Sequence, residues 1–210
     1  MELLILDTNL FPIPTLLDTF ESLLWVDRFC GYGDFEIFIQ ASNEILDMLK
    51  TDYYLVSRDS EHVMIIEGRK IDSDIEHGDY VPITGRSLES MLDRRIIWQQ
   101  TILTGSLQNG IQKLLNENII SPTIPERAIP NFIFEASDAP DITSLTVDTQ
   151  FTWVSLYDAI KSLCEANNIG FKITLSDDNN FVFKLYSGTD RSHDQIINPY
   201  VVFSPNFDNI

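Results

Sequence analysis

The stretch ITGRSLESMLDRRII, Ile83–Ile97, changes character half-way along. Its first residues continue a strand signal that begins at Tyr80, while Leu88, Met91, Leu92 and Ile96 recur at i, i+3, i+4 and i+8, the spacing of an amphipathic helix. Ser87 is a fair N-cap for that helix. Glu89 falls in its first turn and Arg94 and Arg95 in its last, the order that complements the helix dipole. The stretch therefore predicts a joint between a strand-rich region and a mixed one. It also gathers Arg86, Arg94 and Arg95 in a chain with 32 acidic and 14 basic residues, where a cluster of arginines calls for a reason.

Upstream, the sequence is dominated by strand signals. Glu2–Leu10 reads as a short apolar strand ended by Pro12 and Pro14, and Thr15–Phe29 as a long extended run apolar on both sides, which predicts cover over both faces. Gly31 and Gly33 supply a turn, and Phe35, Ile37 and Ile39 alternate with polar residues along a half-buried return strand. Asn43 is placed to cap a short helix, and Tyr53–Arg58, Val63–Ile71 and Tyr80–Thr84 read as further strands.

Downstream of Trp98 the pattern mixes. Helical spacing runs through Leu107, Ile111, Leu114 and Leu115, and strands are expected over Asn131–Ala136 and Leu145–Val147. Ser155 opens a helix whose Leu156, Ile160, Leu163 and Cys164 share one face, and a hairpin follows on the turn SDDNN. A last strand signal covers Tyr200–Phe203, close to the end of the 210 residues, so the chain reads as cut soon after a strand.

The composition excludes several functions. A formal charge of −18 opposes nucleic-acid binding, whose affinity comes chiefly from Lys and Arg displacing counterions. No apolar run approaches the ~20 residues of a membrane helix, and MELLILD has no basic leader, which predicts a soluble, unprocessed protein. Cys30 and Cys164 lie far apart without CxxC spacing, which gives no support to a disulfide framework or zinc knuckle, and Cys164 reads as a core residue. The acidic loop Asp72–Asp79 fails the EF-hand pattern, because glycine comes one place late and Ile83 stands where a bidentate Glu is needed. His62, His77 and His193 form no zinc spacing and read as surface residues, and no GxSxG elbow offers a nucleophile. The expectation is no catalytic, cofactor or metal site.

Five stretches carry a resemblance: ESLLWVDRFCGYGDFEI, MIIEGRKI, ITGRSLESMLDRRII, NNIGFKITL and SGTDRSHDQIINPYVVFS. In this order they resemble the Gp37-like tail-hub or baseplate-hub proteins of siphoviruses and related prophages. Most specific are Trp25 with the Gly31/Gly33/Asp34/Phe35 turn, Gly85-Arg86-Ser87-Leu88 with Asp93-Arg94-Arg95, and Gly188 through Arg191-Ser192 to Phe203-Ser204.

The resemblance implies an α+β hub fold, with a tube-type β-barrel domain formed by residues 1–97 plus 198–210 and a smaller α+β domain over 98–197. It implies the N-terminal part of a longer hub, in which a strand returning after the second domain completes the barrel. It also implies a structural virion protein that self-associates into a ring, as a homotrimer. Its partners would be the distal tail, tape-measure and receptor-binding proteins, and DNA would pass without being bound. The location implied is the virion tail, reached from the host cytoplasm. On this view Arg86, Arg94 and Arg95 set the register between subunits, as bidentate arginines can. The simpler reading is that Arg94 and Arg95 only complement their helix end. The alternative function is a tail-associated peptidoglycan or peptide hydrolase.

Overall fold

The computed structural model describes residues 2–74 and 78–202. Ile75, Glu76 and His77 of the acidic loop, and Phe203 at the end of the expected last strand, lie outside the described residues.

The first 87 residues form β1 (Leu3–Leu6), β2 (Pro12–Leu17), β3 (Ser22–Val26), β4 (Asp34–Gln40), helix α1 (Asn43–Met48), β5 (Tyr54–Ser57), β6 (Val63–Arg69), β7 (Asp72–Asp74) and β8 (Gly78–Ser87). They make one antiparallel sheet in the order β2-β1-β5-β6-β8-β4-β3, with β7 paired to β8. Alternation explains its curvature. Leu3, Ile5, Leu17, Phe35, Ile37, Ile39, Leu55, Met64, Ile66, Val81 and Ile83 all point to one side and join Met48 and Leu49 in a single buried cluster. Six strands of one sheet can share a core only if the sheet curls around it.

The ladder does not close among the described residues. Its two edges, β2 and β3, are consecutive in the chain, separated by residues 18–21, and the antiparallel pairings make them run in the same direction. The run 12–26 therefore leaves one edge of the curled sheet and arrives at the other. Ile13, Leu17, Phe20, Leu23 and Trp25 face the core. Leu16, Leu24 and Phe29 are exposed, so the cover expected on both faces is present on one only.

A buried 3₁₀ turn, Leu88–Arg94, carries the chain out of the sheet. Then follow β9 (Ile96–Ile97), β10 (Thr101–Ser106), helix α2 (Leu107–Leu115) with a π turn at Asn116–Ile120, a short 3₁₀ turn at Pro125–Arg127, β11 (Phe132–Glu135), α3 (Pro140–Thr143), β12 (Thr146–Phe151), β13 (Val154–Ser155), α4 (Leu156–Ala166), and the hairpin of β14 (Ile169–Leu175) and β15 (Phe181–Ser187). β15 pairs parallel with β11 and antiparallel with β14, while β10 pairs with β12 and β9 with β13. The alternating aromatics stack in register: Phe183 lies 5.8 Å from Phe171 and 5.9 Å from Phe134 between ring centroids.

This second layer lies against the outside of the curled sheet. Leu6, Val63 and Ile65, on the faces of β1 and β6 opposite the inner cluster, are buried with Leu88, Leu92, Leu107, Ile160 and Phe171 in one core. The central strands are thus apolar on both faces because each face has its own core.

Two local expectations are corrected. Ser42, one residue before Asn43, caps α1, its Oγ accepting from the Ile45 amide at 3.1 Å. The helix expected after Ser87 is a 3₁₀ turn, in which Ile96 falls beyond the end and is exposed while Ile97 is buried. No described strand covers Tyr200–Val202, where the Val201 amide donates to the Arg191 carbonyl at 3.2 Å.

Gly85 shows how tightly β8 sits between β4 and β6. A Cβ there would lie 1.8 Å from the Ile65 carbonyl oxygen and 2.7 Å from the Phe35 ring. Gly85→Ala is expected to lower the unfolding free energy by about 2 kcal/mol or more, read from urea unfolding with the denaturant slope unchanged.

Candidate functional site

The residues of Ile83–Ile97 do not converge on a cleft. They reach outward to nearly every element of the chain. Arg86, between β4 and β6, donates Nε and Nη2 to the two oxygens of Glu67 at 2.7 and 2.9 Å. Its Nη1 lies 3.5 Å from Asp93 Oδ2, and its guanidinium sits 4.8 Å from the centroid of the Tyr32 ring. The fork to Glu67 holds the Arg86 pKa above its ordinary value, against the opposing effect of partial burial. Asp93 in turn accepts from Ser155 Oγ at 3.1 Å, just before α4.

Arg94 is half-exposed and lies 3.7 Å from Asp52. Arg95 donates Nε to the Arg127 carbonyl at 2.8 Å and Nη1 to the Arg94 carbonyl at 3.0 Å. Burial, followed by the charges of Arg127 and Arg94, lowers its pKa. Its own carbonyl accepts from the Leu156 amide at 2.8 Å. The three arginines thus occupy three separate places, and each has partners within the chain.

Ser87 does not cap the turn that follows it. Its Oγ accepts from the Gly33 amide at 2.7 Å and donates to Glu89 Oε2. Glu89 is wholly buried. Its Oε1 accepts from the Ile173 amide of β14 at 2.7 Å and lies 3.2 Å from His62 Nδ1, without the alignment of a hydrogen bond. One carboxylate therefore ties the hairpin turn before β4, the β5–β6 loop and β14 of the second layer. His62, read from the sequence as a surface residue, is 8% exposed. Burial opposes its protonation, but the contact with Glu89, with the charge of Asp27 adding and Lys172 opposing, leaves its pKa raised.

The glycine turn feeds the same joint. Gly31 has φ +140°, and a Cβ on it would lie 2.7 Å from Tyr157 Oη. A Cβ on Gly33 would lie 2.1 Å from the Val26 carbonyl oxygen. Trp25 and Phe35 face each other in register with ring centroids 6.2 Å apart. Tyr32 packs 4.7 Å from Tyr157 of α4, and Tyr186 Oη donates to the Phe29 carbonyl at 2.9 Å. His193, by contrast, is largely exposed beside Asp194.

Chemically, the arrangement is one of fixation. The Glu89–His62 pair is sealed by packing and offers no approach to a substrate. Among the described residues no three His, Cys, Asp or Glu side chains group as metal ligands, and no helix is long and apolar enough to cross a membrane.

Residues 2–210 match the family described as Siphovirus ReqiPepy6 Gp37-like protein, and the chain belongs to that family. Its fold is similar to that of prophage tail protein gp18 from Listeria monocytogenes EGD-e, with 12% identity and a TM-score of 0.58 over 87% of this chain and 50% of that one. It is also similar to a tail protein from Neisseria meningitidis MC58, with 14% identity and a TM-score of 0.53 over 92% of this chain and 53% of that one. The chain spans about half the length of these two solved proteins. None of the curated proteins matches it.

The His62–Glu89 contact gives stability a defined pH dependence. Because the folded-state pKa of His62 is raised, its contribution is fully present below the ordinary histidine value of 6.5 and is lost as pH rises through the folded value. The stability difference between wild type and His62→Gln, from unfolding at several pH values, is expected to be largest at mildly acidic pH and to shrink towards pH 8.

Proposed function

We propose that this chain is a structural, non-enzymatic component of a phage or prophage tail, acting as the hub at the distal end of the tail tube. The observation that carries this reading is the fold shared with two tail proteins over about nine-tenths of the chain, joined to its family membership. Immunogold labelling of purified virions with an antibody to this chain tests it: label at the tail tip supports the hub. Label elsewhere, or none on the particle, contradicts it.

In this reading the curled sheet is a tube-type barrel, closed by the run 12–26 that passes from one edge to the other. The first domain comprises residues 1–97 plus 198–210 and the second 98–197. Ile196, Ile197, Tyr200 and Val201 are exposed apolar residues, a composition that suits the strand returning to the first domain. Subunits associate as a ring, a homotrimer, in contact with distal tail, tape-measure and receptor-binding proteins. The protein is made in the host cytoplasm and ends in the virion tail. The charge of −18 suits a lumen through which DNA passes unbound, since each basic residue on that wall would offer a phosphate contact. A hydrolase needs an accessible acid, base or nucleophile, and the buried Glu89–His62 pair provides none.

The interface role falls chiefly to Arg94. Arg86 and Arg95 are engaged by Glu67 and the Arg127 carbonyl, whereas Arg94 is more exposed and its Asp52 contact is long. Arg94→Glu is expected to leave the monomer folded but to abolish incorporation into tails, because like charges across an interface cost several kcal/mol, on the order of 3. The check is virion protein composition after complementation with the variant; normal incorporation would remove Arg94 from the interface. Purified chain is also expected to leave labelled peptidoglycan uncleaved across pH and added divalent metals.

A further inference from the structure

Cys30 and Cys164 are read from the sequence as unrelated, yet the fold brings the Cys30 thiol to the helix that carries Cys164. Cys30 lies in the loop between β3 and β4, half-buried, where it bridges in parallel to Phe171 of β14. Its Sγ donates to the Lys161 carbonyl of α4 at 3.8 Å, one helical turn before the buried Cys164, and both cysteines pack into the same core. The loop cannot drift from the helix. Phe29 is held by the hydroxyl and ring of Tyr186, Gly31 packs under Tyr157 Oη, and Tyr32 packs at a tilt against Tyr157.

We propose that Cys30 and Cys164 form a redox latch: reduced when the chain is made in a reducing cytosol, and closed as an intrachain disulfide by low-molecular-weight disulfides in an oxidising medium. The latch ties the β3–β4 loop of the curled sheet to α4 of the second layer and closes a loop spanning most of the chain. It is a property of the chain itself and stands whether or not the tail reading holds.

The two sulfurs have different roles. The contact with Cys164 lowers the Cys30 pKa, with burial and Glu165 opposing and Lys161 assisting, while the same contact and deeper burial raise that of Cys164. Cys30, the more exposed and the more acidic, attacks first. Its thiolate breaks the S–S bond of a small disulfide RSSR, forming a mixed disulfide and expelling RS⁻. The Cys164 sulfur then attacks the Cys30 sulfur and expels the second RS⁻. The two protons from the cysteines end on the two RS⁻, so one RSSR is reduced to two RSH as one intrachain disulfide forms. Cross-linking distant residues removes conformations from the unfolded chain, so closure stabilises the fold.

The test is oxidation of the full folded chain by oxidised glutathione. The expected result is loss of both titratable thiols, a mass lower by the two hydrogens, and a Cys30–Cys164 linked peptide in a non-reducing digest. The melting temperature is expected to rise and to return on reduction. Cys164→Ala should stop at a stable glutathione adduct on Cys30, and Cys30→Ser should leave Cys164 unmodified under native conditions; both are compared with reduced wild type by circular dichroism and thermal unfolding. Because the wild-type result needs no variant to fold, it decides the matter alone. A stable adduct with Cys164 still free, disulfide-linked dimers, or a bond that lowers the melting temperature would overturn the latch.

Discussion

A carboxylate removed from water has to be met by donors or by opposite charge, and Glu89 is met from three parts of the chain. Ser87 donates to one oxygen and passes the connection to the Gly33 amide; the Ile173 amide and His62 meet the other. None of these groups belongs to the same strand, so the curled sheet and the second layer cannot separate without leaving a buried charge unmatched. Around this point the remaining contacts of Ile83–Ile97 are arranged as struts. Arg86 reaches Glu67 and Asp93, Asp93 reaches Ser155, and Arg95 meets the Arg127 carbonyl and the Leu156 amide.

The strands β4 and β15 were legible because apolar residues recur at every second position: Phe35, Ile37 and Ile39, or Phe181, Phe183 and Leu185, are buried on one face. The change of regime at Ile83–Ile97 was legible for the same reason. The character of its turn was not, because Leu88, Met91 and Leu92 satisfy an α-helix and a short 3₁₀ turn about equally over so few residues. Glu89 was read as a first-turn acid that complements the helix dipole. A charged residue inside a run of apolar ones was the available signal, but its partners, His62 and Ile173, come from distant elements and follow no spacing rule. The meeting of Cys30 and Cys164 is hidden for the same reason, since tertiary contact between a loop and a helix leaves no local pattern.

What the fold supplies to the proposed role is rigidity at the layer joint together with unfilled apolar surface elsewhere. Leu16 and Leu24 line the outer side of the run 12–26, and the rings of Trp98 and Trp153 pack at a tilt with centroids 4.5 Å apart while both are exposed. Surfaces of this kind on a folded chain are the ordinary mark of assembly. A formal charge of −18 favours dispersion of the free chain in solution.

The central claim is that Glu89 couples the curled sheet to the second layer. Native-state hydrogen exchange of the Gly33 and Ile173 amides, in wild type and in Glu89→Ala, measures this directly, because each amide donates into the network from one side of the joint. The account predicts that both amides are protected in wild type and that both lose protection together in the variant, while the Ile37 amide in the middle of β4 stays protected. Unchanged protection of Gly33 and Ile173 in Glu89→Ala would contradict it.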